Sequence, residues 1–250
     1  MSYRVAIVTG GTGALGSVVV AEFVRKGMGV GIPVAPGGEL AHAGEKRPEG
    51  SPSQSGGHRG DPSISGSPPS VLCLPADLRR EEDVTEFVRA MMKEFGRIDI
   101  LVNIAGGYAG GNSIQETSVV EWDAMMELNL KTAFLMCRRV IPFMNGFGRI
   151  VNIAAMPALL PAPRRGAYTV SKAGIVTLTE VIHQEVKGSA ITVNAVAPSI
   201  LLTEANRASM PGADTSKWVP LSEVASLILY LCSDEARSVS GNTIRIFGGV

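Results

Sequence analysis

Tyr168 and Lys172 stand four residues apart in Ala167-Tyr168-Thr169-Val170-Ser171-Lys172, so on a helix they share a face, one turn apart. A free phenol titrates near ~10 and holds its proton too tightly to exchange it easily at neutral pH. An ammonium beside it favours the phenolate and lowers that pKa. The pair can then serve as general acid for a reduced centre, or as base in the reverse direction. A hydroxyl able to hold a substrate oxygen is sought on the preceding strand and loop, which offer Ala154 and Ala155 instead. A second group lies near the N-terminus, in Thr9-Gly10-Gly11-Thr12-Gly13-Ala14-Leu15-Gly16. Gly11, Gly13 and Gly16 satisfy G-x-G-x-x-G, which gives a tight turn, close backbone approach to a pyrophosphate, and free N–H groups at a helix N-terminus. Gly10, Thr12, Gly13, Ala14, Leu15 and Gly16 are the candidate phosphate-binding residues. The bland alternatives are a Gly-rich turn and an amphipathic helix with a snorkelling Lys.

These groups need strands and helices to hold them. Short, mostly β-branched apolar runs predict strands at Val5–Val8, Met28–Val34, Val71–Leu74, Ile98–Val102, Arg149–Ile153, Ile191–Val196 and Thr243–Phe247. Helical patterns run between them. One covers Ala14–Lys26, and a second carries Val84, Phe87, Val88, Met91 and Phe95 on one face and stops at Gly96. Ser118 with Glu121 forms a capping box for a helix within Thr117–Met144, and further helices are predicted over Gly166–Lys187 and Val219–Leu231. Alternating strand and helix predicts an α/β fold, a single-domain doubly wound parallel sheet (Rossmann fold) of about seven strands with helices on both faces. Gly37–Ser70 breaks the pattern. In it 20 of 34 residues are Gly, Ser or Pro, and its only aliphatic side chains larger than Ala are Leu40 and Ile64, so it reads as a solvated excursion from that domain.

Composition excludes several classes. With 250 residues, 45% of them hydrophobic, the chain can bury one large core. Lys and Arg total 23 against 23 Asp and Glu, which gives no electrostatic reason to bind nucleic acid or an anionic membrane. No apolar run reaches the roughly 20 residues of a membrane span. No signal-peptide pattern precedes the first strand, and Cys73, Cys137 and Cys232 are scattered in apolar contexts, so a cytoplasmic protein with free thiols is expected. His42, His58 and His183 form no metal-site spacing, and no metal is expected.

Together the glycine loop, Asn103-Ile104-Ala105-Gly106, Asn152 and Tyr168/Lys172 resemble the short-chain dehydrogenase/reductase family over nearly the whole chain outside Gly37–Ser70. The resemblance implies an oxidoreductase using NAD or NADP on a small-molecule substrate, with Tyr168 delivering the proton and Lys172 also holding the nicotinamide ribose. Asn129 would join a water relay to the Lys, while Asn103, Ala105 and Gly106 would line the cofactor. Pro198, Ile200 and Thr203 match the segment that meets the carboxamide, with Ser199 where Gly is usual. Asp77 and Leu78 end the third strand where the adenine edge would lie; for Asp77 a helix N-cap is the alternative. No acid ends the second strand, and no cation lies in the glycine loop, so NAD and NADP stay undivided. The family's Ser matches Ala155. Gly10–Ser17, Ala105–Asn112 and Asn206–Asp214 with Trp218 resemble the quinonoid dihydropteridine reductase branch, where Ala at that position is usual and Trp stands in place of Tyr108. A quinonoid pterin is electrophilic enough to need less polarisation by a hydroxyl. Tyr108 and Trp218 are candidates to stack on a flat substrate, with plain packing as the alternative. Leu229–Ala236 looks more like the 3-oxoacyl and general carbonyl reductases. A nucleotide-binding sensor or scaffold without turnover is the reading from another class. A homo-oligomer, dimer or tetramer, is implied through the two long apolar helices.

Overall fold

The computed structural model describes residues 3–37 and 71–249. All but one residue of the Gly/Ser/Pro-rich stretch, with His42 and His58, lies outside the described residues. Seven strands form one parallel sheet: β1 (Val5–Thr9), β2 (Gly29–Val34), β3 (Val71–Pro75), β4 (Ile100–Asn103), β5 (Gly148–Ile153), β6 (Ile191–Pro198) and β7 (Thr243–Ile246). Their order is β3-β2-β1-β4-β5-β6-β7. β1, β2, β4 and β5 are buried at every position, which explains their nearly unbroken apolar runs.

The helices are α1 (Ala14–Arg25), α2 (Glu81–Phe95), α3 (Val119–Met125), α4 (Thr132–Val140), α5 (Gly166–Glu185), α6 (Glu204–Ser209) and α7 (Leu221–Leu231). On one face Val19, Val20 and Phe23 of α1 and Val224, Ile228 and Leu231 of α7 join the core under Ala6, Val8, Ile100 and Val102. On the other, Phe87, Val88 and Met91 of α2, Met136 and Val140 of α4 and Ile182 of α5 cover Val5, Ile7, Leu101 and Ile150. Side chains alternate along each strand, so a strand feeds both cores. Fully burying one such Val, Ile or Phe stabilises by about 1.5–3 kcal/mol.

The helix expected within Thr117–Met144 opens as its capping box predicts, with Ser118 Oγ accepting from Glu121 N at 3.0 Å. Its middle departs from the α pattern: Met126–Lys131 forms a π turn between α3 and α4. The expected start of α7 at Val219 is also revised. Val219 pairs with Leu201 as a short parallel bridge, and Pro220 caps the helix instead. No helix among the described residues is long and apolar enough to cross a membrane.

Candidate active site

Strand order turns around between β1 and β4, and the crevice at the carboxyl ends of the strands there is where doubly wound folds take their ligands. The loops after β1, β4, β5 and β6 meet at that end. Thr9, which closes β1, is buried, and its Oγ1 accepts from Ile104 N and Ala105 N at 3.0 Å each. That one hydroxyl fixes the glycine loop against the loop that follows β4.

The glycine loop turns through a Gly13 N to Gly10 O bond of 3.0 Å. A Cβ on Gly16 would run into Gly10 O, so only glycine lets α1 sit this close. Gly13 caps α1 without a side chain, and no acid occupies its first turn. The first N–H groups of α1 are therefore available to an anion, and the loop fits a dinucleotide pyrophosphate.

Asn129 sits in the π turn with 1% of its surface exposed. Its Oδ1 accepts from Gly107 N at 2.9 Å, while Nδ2 donates to Gly107 O and to Ser171 Oγ, each at 3.1 Å. The side chain thereby ties the loop after β4 to α5. Gly106 lies where a Cβ would stand 2.5 Å from Asn129 Oδ1 and 3.3 Å from Lys172 Nζ. Lys172 is buried and donates to Ile153 O at 2.8 Å.

Tyr168 stands one turn before Lys172 on α5, and its ring meets Tyr108 edge-on, centroids 5.0 Å apart at 78°. Burial is the main cause that pushes the phenol up to about 12; Tyr108 adds to it and the charge of Arg165 opposes it. This corrects the expected electrostatics. The cation acting on Tyr168 is Arg165, one turn ahead of it, whereas Lys172 spends its ammonium on Ile153 O. The proton stays on Tyr168 throughout the neutral range, as a donor requires.

Burial lowers Lys172 to about 8. The folded state therefore releases this proton before the unfolded chain, whose Lys titrates near ~10.4. Below pH 8 the cost of burying the charge is fully present, and it is relieved as pH rises past 8. From pH 7 to 9 the wild type should gain about 1 kcal/mol of stability relative to Lys172→Met. Urea unfolding of both proteins at each pH checks this, and parallel pH curves would refute it. Around pH 9 the unfolded thiols ionise while burial holds Cys137 and Cys232 at about 12, a loss common to both proteins that cancels in their difference.

Other expected residues land differently. Asn103 turns into the interior, donating to Asn152 Oδ1 at 2.8 Å; Asn152 in turn donates to Thr179 Oγ1 at 2.9 Å. It braces β4, β5 and α5 from inside. Asp77 is not the N-cap of α2, a place held by Arg80. Its carboxylate pairs with Arg79 at 2.7 Å, which holds it down at about 2. Leu78 is buried beside it in the α2 core. Ala155 is 5% exposed and precedes a 3-10 turn. Tyr108 is 60% exposed, whereas Trp218 is 5% exposed, so the two stacking candidates separate. Pro198 ends β6; Ile200 O accepts from Val219 N at 2.8 Å, and Thr203 Oγ1 accepts from Asn206 N at 3.1 Å to cap α6. A cleft of about 570 Å³ lies between α1 and α6, lined by Ala14, Leu202, Thr203, Glu204, Ala205, Arg207 and Leu221. No group of three metal-ligating side chains occurs among the described residues.

Sequence reasoning missed a clasp. Arg164 adopts φ 62, its carbonyl accepts from Gly111 N at 2.8 Å, and its guanidinium donates to Gly111 O at 3.3 Å. Left-handed backbone at a non-glycine costs about 1–2 kcal/mol. The paired bonds hold the loops after β4 and β5 together beside Tyr108. Only the adjacent Arg164-Arg165 before Gly166 hinted at it.

The sequence pattern of the family described as enoyl-(acyl carrier protein) reductase matches residues 62–250. A short-chain type dehydrogenase/reductase of Picea abies is 32% identical over 264 residues, 98% of this chain and 92% of its own length. A 3-oxoacyl-[acyl-carrier-protein] reductase of Staphylococcus epidermidis is 26% identical over 255 residues, covering 98% of both. Among solved structures, a blue fluorescent protein from a metagenomic library in complex with NADPH superposes with a TM-score of 0.80 at 20% identity, over 98% of this chain and 97% of that one.

Proposed function

The chain belongs to the short-chain dehydrogenase/reductase family, and from that premise we propose that its single Rossmann-fold domain is an NAD(P)-dependent reductase of a small carbonyl or conjugated acceptor. One observation carries the reading: Tyr168, Lys172, Asn129 and Gly106 come together at the turn-around of strand order, beside a glycine loop open to a pyrophosphate. When bound, the nicotinamide supplies the hydride. Gly10, Thr12, Gly13, Ala14, Leu15 and Gly16 would hold its phosphates, Lys172 its ribose, and Ile200 and Thr203 its carboxamide. Ala105 and Gly106 would form the wall behind it. Tyr168 holds the proton on its hydroxyl and gives it to the acceptor oxygen or nitrogen. Asn129 keeps the loop after β4 in register with α5, and burial around Lys172 and Tyr168 excludes water.

A second reading, reduction of a quinonoid dihydropterin, is favoured by Ala155 and Tyr108. No hydroxyl is needed to polarise an acceptor that is already conjugated and electrophilic. The exposed Tyr108 ring, set edge-on to Tyr168, offers a face to a flat ring.

Oxidation of NADH and of NADPH should be followed with purified protein against quinonoid dihydropterin and an acetoacetyl thioester. Ala155→Ser restores a hydroxyl beside the acceptor. It should raise turnover of the thioester roughly tenfold, the worth of one hydrogen bond to a developing charge, and leave the pterin rate nearly unchanged. Equal gains on both acceptors would remove the argument from Ala155. No turnover of either acceptor, with a cofactor still bound, would favour the sensor or scaffold reading. Phe134 of α4 and Val170 and Val181 of α5 are 44–47% exposed, and we place a homo-oligomeric contact on those helices. Sedimentation as a monomer would sink that assignment.

A further inference from the structure

Reduction of a carbonyl builds negative charge on its oxygen, and each hydrogen-bond donor aimed at that oxygen lowers the barrier. Tyr168 is one donor. β5 and the loop after it supply no second, because Ala154 and Ala155 carry only methyl groups. Hydroxyls beside Tyr168 along α5 are engaged or shut away: Ser171 Oγ donates to Tyr168 O at 2.8 Å, and Thr169 Oγ1 is enclosed. Tyr108 differs from both. Its ring packs edge-on against Tyr168, centroids 5.0 Å apart, while 60% of its surface stays open. Its Oη makes no hydrogen bond among the described residues. Backbone sets the place of that oxygen. A Cβ on Gly110 would stand 2.7 Å from Tyr108 Oη and 2.9 Å from Arg164 O, so glycine there leaves room for the phenol. Gly111 N donates to the same Arg164 O at 2.8 Å, and Arg164 adopts φ 62 to present it. Left-handed backbone persists where the surroundings over-determine it, and it gathers at ligand clamps. After burial, Tyr108 is the next cause that raises Tyr168, ahead of the opposing Arg165, so the two phenols act on each other across the contact.

We propose that Tyr108 is a second catalytic hydroxyl, donating to the acceptor oxygen from the loop after β4 in the role that position 155 leaves empty. This rests on the reading that the chain reduces a carbonyl, and it narrows that reading to acceptors whose oxygen gains charge between two phenols. Tyr168 gives its proton to that oxygen, which ends as a hydroxyl. Tyr108 keeps its own proton and contributes a hydrogen bond only. A ring used for stacking alone needs no oxygen, so exchange of Tyr108 for Phe separates the two roles.

The test compares the wild type, Tyr108→Phe, Ala155→Ser and the double variant by steady-state kinetics with an acetoacetyl thioester and with quinonoid dihydropterin. Tyr108→Phe should lower kcat on the thioester by roughly 10- to 100-fold, the loss of one hydrogen bond to a developing charge. KM should stay within about twofold, and pterin turnover should hardly change. A first bond to an oxyanion contributes more than a second, so Ala155→Ser should raise the thioester rate more in the Phe variant than in the wild type. The melting temperature should not move, since Tyr108 Oη has no partner to lose. Unchanged thioester turnover in Tyr108→Phe would leave Tyr108 a packing ring and overturn the proposal. An equal gain from Ala155→Ser in both backgrounds would place the hydroxyl away from the acceptor oxygen and overturn it as well. Wild-type protein without turnover of the thioester would instead sink the carbonyl reading, and the proposal with it, before any substitution is made.

Discussion

Tyr168→Phe is expected to lower kcat by about 10²–10⁴-fold, the range for loss of a general acid, while leaving NAD(P)H affinity within about twofold. The substitution removes one oxygen and preserves the ring that packs edge-on against Tyr108. Two neighbours that the sequence set beside it cannot take its place. Lys172 is committed to Ile153 O, and position 155 carries only a methyl group. Stopped-flow hydride transfer and fluorescence titration of the same preparation separate the two quantities. A variant that keeps more than a tenth of wild-type kcat would show that the proton comes from elsewhere.

Gly16→Ala should have the largest effect on binding. The added methyl group meets Gly10 O, with Gly10 C and Gly11 Cα 2.7 Å away, all of them backbone and none able to rotate aside. The loop can accommodate it only by moving off α1, which costs about 1–3 kcal/mol. The melting temperature should fall by about 5–10 °C. Because the displaced segment carries the N–H groups that would hold a pyrophosphate in the proposed binding mode, dinucleotide affinity should fall by roughly 100-fold. A thermal shift assay with and without NADH reads both. Unchanged affinity would mean that the phosphates lie elsewhere.

The seven strands were legible because both faces of the sheet are covered, which leaves continuous apolar runs such as Val5–Val8 that little else produces. The glycine loop and the Tyr168/Lys172 spacing were legible because backbone approach and helical period leave marks at fixed intervals. What escaped depends on contacts between distant segments. Nothing in the spacing shows that Lys172 turns to Ile153 O, or that Arg165 outranks it in acting on Tyr168. The Arg164–Gly111 clasp joins residues 53 positions apart. Asn103 read as a cofactor contact together with Ala105 and Gly106, yet its side chain turns into the ladder with Asn152. Trp218 and Tyr108 read alike as aromatic candidates, and only burial separates them.

The π turn at Met126–Lys131 has a consequence for how this chain tolerates changes of length. Such a turn holds one residue more than an α turn, so the rod from Val119 to Val140 contains a surplus position. Losing that one residue would let the rod close into an ordinary spiral while the segment downstream kept its facing, so Phe134 would still point outward and Met136 would stay enclosed. What would be lost is the bulge itself, which carries Asn129 to Gly107 and Ser171. A single-codon deletion in this stretch would therefore spare the packing of the rod and strike the contacts of Asn129, dividing what the fold needs from what the site needs.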